Sequence, residues 1–544
     1  MRIPALVGLI GSLALVPRFE NVTQKSGIDF TLTSGSSSKA YILESMSGGL
    51  GFIDYDNDGW IDIYLVNGST LEAERLKNNR ATDRLYRNNG NGTFTDVTEQ
   101  ARVSDNHWGM GVCVGDVNND GFEDLYVTNF GPNVLYLNNG DGTFRDFSKE
   151  SGTDDSSWSS SAAFGDYDKD GDLDLYVSNY LEFDVRNLPQ DNPLCRYRGL
   201  KVQCGPRGLT PTAHRFYENQ GNGKFVDVTQ KSGIGRARPY YGLGVVWGDY
   251  DNDGDLDIFV ANDSTPNYLF RNNGNKTFSE VALLAGVALS EEGKEKASMG
   301  VDFGDYDNDG DLDLFVTSFS EDYDTLYRNE GNGQFSDVSY AAGIGETTWS
   351  YLAWGTQFVD FDLDGWLDLV IANGHVYPEV DGAKLGTNYR QRNLFFRNLK
   401  RGKFDEVSNQ AGSGFEKAQS SRGLAVGDIN NDGQMDLLIA NLDAPPSLLL
   451  NRNTLGNWIL LRLKGSKSNR SAIGARVWAR TGSLVQMREV KSGGSYQSQN
   501  DLRVHFGLGS ARTIDQLEIR WPGGKVQTMN DVKANQILLV DERE

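Results

Sequence analysis

The stretch GDYDNDGDLDIFV, Gly248 to Val260, places five carboxylates within nine residues and then passes directly into a β-branched, apolar run. From Asp249 it has acids at positions 1, 3, 5 and 9 of a nine-residue phrase, with glycine at position 6. Oxygen ligands on a chain that must bend sharply suit a hard cation of high coordination number such as Ca²⁺, and suit Mg²⁺ less because it keeps several waters in strict octahedral geometry. An EF-hand would add a bidentate Glu at position 12 on a following helix. Here that position is Val260, inside the apolar run, so the EF-hand reading fails.

The phrase returns along the chain as DYDNDGWID from Asp54, DVNNDGFED from Asp116, DYDKDGDLD from Asp166, DYDNDGDLD from Asp305, DFDLDGWLD from Asp360 and DINNDGQMD from Asp428. With the copy at Asp249 there are seven. A bare Asx-turn would explain one acidic turn, but recurrence with four oxygen positions held points to metal. The candidate ligands are Asp54, Asp56, Asp58 and Asp62; Asp116, Asn118, Asp120 and Asp124; Asp166, Asp168, Asp170 and Asp174; Asp249, Asp251, Asp253 and Asp257. The remaining three sets are Asp305, Asp307, Asp309 and Asp313; Asp360, Asp362, Asp364 and Asp368; Asp428, Asn430, Asp432 and Asp436. Position 7 varies freely, as expected if it offers only its backbone carbonyl; the carboxylate of Asp255 is then spare.

Each loop is preceded by a small-residue segment such as GLGVVWG and followed by a strand-like one such as IFVAN. A second phrase, for example LYRNNGNGTFTDVT from Leu85 to Thr98, supplies two further strands around an Asn-Gly turn. The unit is therefore four strands: A, acidic loop, B, connection, C, Gly-rich turn, D. Repeated at intervals of 50 to 83 residues, it is the pattern of a propeller, which avoids exposed sheet edges by closing on itself. The strand D phrase occurs once before the first acidic loop, at Phe19, and not after the last. RFENVT, Arg18 to Thr23, is thus expected to supply the outer strand of the last blade.

Charge divides the chain. Residues 453–544 carry 14 Lys and Arg against 8 Asp and Glu, a net +6, which leaves −29 of the total −23 to the preceding part. The expected organisation is an N-terminal apolar segment at 1–17 of signal-peptide size, a seven-bladed β-propeller with calcium-binding hairpin loops at 18–452, and a small all-β domain at 453–544. Up to seven Ca²⁺ would bring −23 to −9. Such acidity excludes nucleic acid as a partner, and no run is long and apolar enough for a transmembrane span.

The loops and their flanking strands resemble FG-GAP/VCBS repeats, as in integrin α-chain propellers. With SNRSAIGARV, QMREVKSGGSYQSQNDLRVHFGLG and IRWPGGKVQ in the tail, the chain resembles the cartilage acidic protein family with its ASPIC/UnbV C-terminal domain. The resemblance implies a seven-bladed, calcium-binding propeller, commonly secreted, with no established enzymatic activity. Asn118 and Asn430 depart from the all-Asp pattern, and weaker calcium binding is expected there.

Strand parity puts the B–C and D–A connections on the face opposite the acidic loops. The insertions 68–83, 181–213 and 374–392 all lie between strands B and C, and loops on a rigid scaffold are where binding residues concentrate. Trp108, Trp158 and Tyr241 fall at the same rim, either as a stacking platform for sugars or as a plug in the channel. CRYRGLKVQC brackets Arg196, Tyr197 and Arg198 between Cys195 and Cys204, a candidate disulfide, and with Arg207 it makes a basic segment that is either an anion site or a solvated loop. No G-x-S-x-G, H-E-x-x-H, Walker A or dinucleotide motif occurs. The function expected is an extracytoplasmic (secreted, periplasmic or cell-surface) module for a protein or carbohydrate ligand, with a calcium-dependent polysaccharide-processing enzyme as the alternative.

Overall fold

The computed structural model describes residues 16–78, 80–189, 194–453 and 455–543. All but the last two residues of the expected export segment lie outside this set.

In each acidic phrase the residue at position 4 has φ between 55° and 61°, and the glycine at position 6 between 84° and 97°. Two left-handed residues in three reverse the chain, and strand B begins at position 9 in every copy, as with Asp257–Asn262 after Gly242–Gly248. Among the described residues this hairpin and the Gly-rich one build seven antiparallel units of four strands, the first of which gains Ser498–Gln499 of the tail as a fifth, parallel strand. In the fourth, Gly242–Gly248, Asp257–Asn262, Tyr268–Asn272 and Phe278–Glu280 pair in sequence order. In the seventh, Ser421–Gly427, Asp436–Asn441 and Ser447–Asn451 are completed by Phe19–Asn21 from the N-terminal end, with Phe19 opposite Asn451. The ring of Phe19 is buried against Phe361, Phe395 and Phe415.

The innermost strands contact one another in ring order, from Leu50–Ile53 of the first sheet round to Ser421–Gly427, which returns to the first. Apolar faces of neighbouring sheets form the cores between them; Phe259, Phe303, Leu314 and Phe335 fill one such layer. This closed ring of sheets is a β-propeller.

The tail adds a three-stranded sheet (Val504–Gly509, Asn457–Lys464, Gln536–Asp541) and a four-stranded one (Leu484–Glu489, Arg476–Thr481, Thr513–Arg520, Val526–Lys533). Their core of Ile459, Leu461, Val477, Phe506 and Ile519 runs on into Val117, Leu137 and Phe164 of the ring. Between the strands ending at Glu489 and starting at Val504, the tail sends Lys491 to Asp501 through the centre of the propeller.

That segment touches every innermost strand. Ser498–Gln499 pairs in parallel with Leu50 and Gly51 of the first sheet. Val112 N donates to Gln497 O and Val114 N to Gln499 Oε1 in the second, and Gln497 N donates to Ser161 Oγ in the third. Ser495 exchanges both backbone hydrogen bonds with Val301 of the fifth sheet, and its Oγ accepts Thr356 N of the sixth. Val426 N of the seventh donates to Asn500 Oδ1. In the fourth, a side chain at Gly244 would meet Met299 O at 2.3 Å and Ser495 O at 3.2 Å, which is why strand A is built of small residues.

Tyr496, fully buried, forms the tip. Its Oη donates to Met46 O at 2.9 Å and its ring lies 4.8 Å from that of Trp354. Removing a large aromatic from a filled core costs about 3 kcal/mol or more. Tyr496→Ala is therefore expected to lower the urea midpoint of the whole chain, ring included, by the equivalent of at least about 3 kcal/mol; a midpoint unchanged from the parent would contradict the insertion.

Candidate functional site

The acidic loops are organised from position 9 outward. The carboxylate of Asp257 accepts Asn272 N at 2.7 Å through Oδ1 and Tyr250 N at 3.3 Å through Oδ2. The same two bonds recur at Asp62, Asp124, Asp174, Asp313, Asp368 and Asp436. Burial pushes these carboxyls up, Asp62 to about 9, and neighbouring acids push in the same direction. At position 1 burial lifts Asp116 and Asp249 to about 6, and Asp166, Asp305 and Asp428 to about 7.

The asparagine that ends strand C links each sheet to the one before it. Asn272 Nδ2 donates to Tyr167 O at 2.8 Å, and Asn88 Nδ2 closes the circle on Ile429 O of the seventh sheet at 2.9 Å. Asn138, Asn219, Asn329, Asn398 and Asn451 do the same, so seven equivalent bonds staple the ring.

Position 4 makes a second belt. Asn57, Asn119, Asn308 and Asn431 donate to the position-6 carbonyl of the next loop (Gly121, Gly171, Gly365 and Gly59), and Asn252 to the carboxylate of Asp311. Lys169 pairs with Asp255 at 2.6 Å, so the position-7 carboxylate expected to be spare is in use. Leu363, in the sixth loop, has no donor to give. There the tail substitutes: His505 Nε2 donates to Gly433 O at 3.0 Å, and the indole of Trp458 lies against Gly433.

Carboxylate oxygens of positions 1, 3 and 9 converge within 4.8 Å of one another in four loops (Asp166, Asp168, Asp174; Asp249, Asp251, Asp257; Asp305, Asp307, Asp313; Asp360, Asp362, Asp368) and could hold a metal ion. Asp54, Asp56 and Asp58, positions 1, 3 and 5, make a fifth group. Asp166 Oδ1, Asp249 Oδ1, Asp307 Oδ1 and Asp362 Oδ1 are buried without a hydrogen-bond donor. A charged oxygen in that state is costly unless a cation serves it, so the donor set fits a hard ion.

The tail covers this face. Arg462 reaches Asp54 Oδ2 at 2.8 Å and Asn57 Oδ1 at 2.7 Å. Arg476 donates to Asp249 O and Asn252 Oδ1, and Arg503 to Asp428 O and Asn431 Oδ1. Arg470 N takes Asn119 Oδ1. Asn57, Asn119, Asn252 and Asn431 thus face two ways, amide to the next loop and carbonyl to the tail. Sequence reasoning missed both roles and the tail contacts, although the recurrence of Asn at position 4 and the +6 of the tail were visible.

On the opposite rim Trp108, Trp158 and Tyr241 are buried, packed with Met46, Leu352, Trp354 and Tyr496. They close the channel and do not form an open stacking platform. Cys195 and Cys204 are joined by a disulfide. The loop they close does not present a free basic cluster: Tyr197 is buried against His375 and Tyr377, Arg198 pairs with Glu321, and Arg207 pairs with Glu295 at 3.1 Å. Arg196 is exposed and donates to Gly199 O. The loop bonds to insertion 374–392 through Arg198 and Leu385 O, and both lie over the channel mouth.

The fold and the repeated loops define a class, and the family comparison names it. The chain matches the FG-GAP-like repeat family at residues 54–127, 116–177, 209–260, 249–316, 305–371 and 382–439, more than half its length. It belongs to that family, and residues 465–544 match the family described as ASPIC and UnbV. Cartilage acidic protein 1 of Xenopus tropicalis is 27% identical over 297 residues, 53% of this chain and 42% of that protein. The Homo sapiens protein of the same name is 25% identical, over 56% of this chain and 44% of its own length. This chain therefore spans under half the length of these relatives. Among solved structures, an Agrocybe aegerita lectin recognising non-reducing terminal N-acetylglucosamine shares 16% identity with a TM-score of 0.38, covering 74% of this chain and 87% of its own. YCF48 bound to D1 peptide shares 9% with a TM-score of 0.42, covering 81% and 99%.

Burial lowers His505 to about 4, with Arg488 and Arg503 pushing the same way, against the Gly433 bond and Asp501. The unfolded chain, with its histidine near 6.5, binds the extra proton between pH 6.5 and 4, so stability falls as pH drops through that window. Integrating that shift to pH 5 gives a loss of about 2 kcal/mol from this residue. His505→Gln keeps a donor and cannot titrate; the difference in unfolding free energy between pH 7 and pH 5 is expected to shrink by about that amount relative to the parent, and an equal difference would contradict the buried, neutral imidazole.

Proposed function

We propose that this chain is an extracytoplasmic, calcium-binding propeller that works as an interaction module, offering a protein or carbohydrate partner the face opposite its acidic loops. The observation that carries the reading is the placement of the tail. It covers the acidic face and fills the channel, so a partner is left the rim where the insertions 181–213 and 374–392 lie. The disulfide of Cys195 and Cys204 suits an oxidising compartment, and the relatives named Cartilage acidic protein 1 support a place outside the cell. Among the described residues no helix is long and apolar enough to cross a membrane.

Calcium would be held by the position-1, 3 and 9 aspartates, with Asp166 Oδ1, Asp249 Oδ1, Asp307 Oδ1 and Asp362 Oδ1 among the donors. When bound it supplies the positive charge that lets several half-buried carboxylates ionise side by side. Its role is to stabilise the hairpins, and through them the rim on the far side. A ligand for the folded state alone raises stability by mass action, so calcium is expected to raise the melting temperature and EDTA to lower it.

The test is an array of glycans and extracellular proteins probed with the full chain in calcium and in EDTA. Calcium-favoured capture is expected, abolished when 381–388 in the rim insertion is replaced by Gly and Ser. Capture that ignores this replacement, or no capture by any probe, would contradict the module reading.

A further inference from the structure

The seven acidic loops are alike in sequence and unlike in what serves their carboxylates. Taken in ring order they fall into two continuous arcs.

The seventh, first and second loops are satisfied by the protein itself. In the second, Asn118 Nδ2 donates to Asp120 Oδ2 at 2.9 Å, and in the seventh Asn430 Nδ2 donates to Asp432 Oδ2 at the same distance. An amide N–H thus occupies the space between positions 3 and 5 where a cation would serve both. In the first loop two guanidinium groups do this work. Arg462 of the tail lies 2.8 Å from Asp54 Oδ2; Arg87 of strand C lies 2.8 Å from Asp56 Oδ2 and 3.3 Å from Asp58 Oδ2. The acids that converge there are positions 1, 3 and 5, drawn together by arginines, and not the 1, 3 and 9 of the other groups.

The third to sixth loops differ. Each keeps at least one buried carboxylate oxygen with no hydrogen-bond donor, at Asp166, Asp249, Asp307 and Asp362. Side-chain cations that reach these loops bind a different oxygen: Lys276 takes Asp168, Arg476 takes Asp249 Oδ2 at 3.3 Å, and Arg397 takes Asp362 Oδ2 at 2.7 Å.

The tail's own charge pairing sets the first loop apart. Arg476 is matched by Glu489 at 2.9 Å and Arg503 by Asp501 at 2.7 Å, both acids of the tail. Both arginines dock on loop carbonyls and asparagines, and Arg476 adds a longer contact to the loop carboxylate Asp249 Oδ2 at 3.3 Å. The acid described in ion pairing with Arg462 is Asp54, from the ring. Arg462 thus brings the first loop a cation whose described acid partner is in the ring, beside the place where Ser498–Gln499 joins the first sheet and next to the seventh, which the N-terminal strand completes.

Resting on the calcium reading above, we infer that cation binding is confined to the arc of the third to sixth loops, and that the first loop is a docking socket in which Arg462 and Arg87 stand in for the metal. The seam where chain termini and tail meet is thereby held by permanent protein contacts, and the metal acts on the other half of the ring.

The experiment counts calcium per chain, by calorimetric titration and by atomic emission after dialysis of the full-length protein. Four ions are expected. Asp54→Asn is expected to leave the count at four and Asp307→Asn to lower it to three. A parent that binds five or more ions, or a loss on Asp54→Asn, would overturn the assignment of the arcs while leaving calcium binding in place. A parent that binds none overturns the calcium reading itself, which separates the two failures. The count on the parent decides the matter even if either variant fails to fold.

Discussion

One contact underlies the whole ring: a buried aspartate at loop position 9 accepts one backbone N–H from its own turn and another from the end of strand C. It joins the acidic hairpin to the next hairpin, and it sets the strand C asparagine where its amide can reach the preceding sheet. Repeated seven times, the pair of bonds makes each sheet depend on its neighbour. The geometry has a cost. It gathers every acidic loop on one face, where half-buried like charges raise one another's pKa values and destabilise the ionised state.

The molecule answers that crowding in three ways. Asparagine replaces aspartate in two loops, arginines enter a third, and the remaining four present oxygens suited to a hard ion. The basic tail belongs to the same answer. It settles on the acidic face with its own arginines largely pre-paired, and it reads the loops through the carbonyls of position-4 asparagines. Its channel segment then carries the tail's grip through to the opposite rim. Ring and tail share one core at the second and third sheets, so they are best regarded as a single packed structure.

Much of the ring was legible because the phrase recurs. Seven copies of an acidic turn between alternating segments dictate seven hairpins, and the stray strand D phrase at Phe19 foretold the pairing with Ser447–Asn451. The asparagine of LYRNNG was in plain view but read only as turn chemistry, because its partner lies in another repeat. SGGSYQSQN likewise marked the family without revealing that it fills the channel, since the contacts that tie it to the ring are distant in sequence. The aromatic rim stayed open between plug and platform for the same reason: nothing local to Trp108, Trp158 or Tyr241 announces that Tyr496 will arrive to bury them. The basic segment near Arg198 and Arg207 read as free charge because Glu321 and Glu295, which neutralise it, belong to other loops.

The central claim is that the tail's segment from Lys491 to Asp501 is a structural member of the ring. Hydrogen exchange followed by mass spectrometry tests it most directly, on peptides covering 491–501 and the innermost strands. If the segment bridges the sheets as described, its amides and those of Val112, Val301, Thr356 and Val426 exchange together, only through unfolding of the whole chain. Exchange of 491–501 as fast as that of surface loops, with the ring still protected, would contradict it.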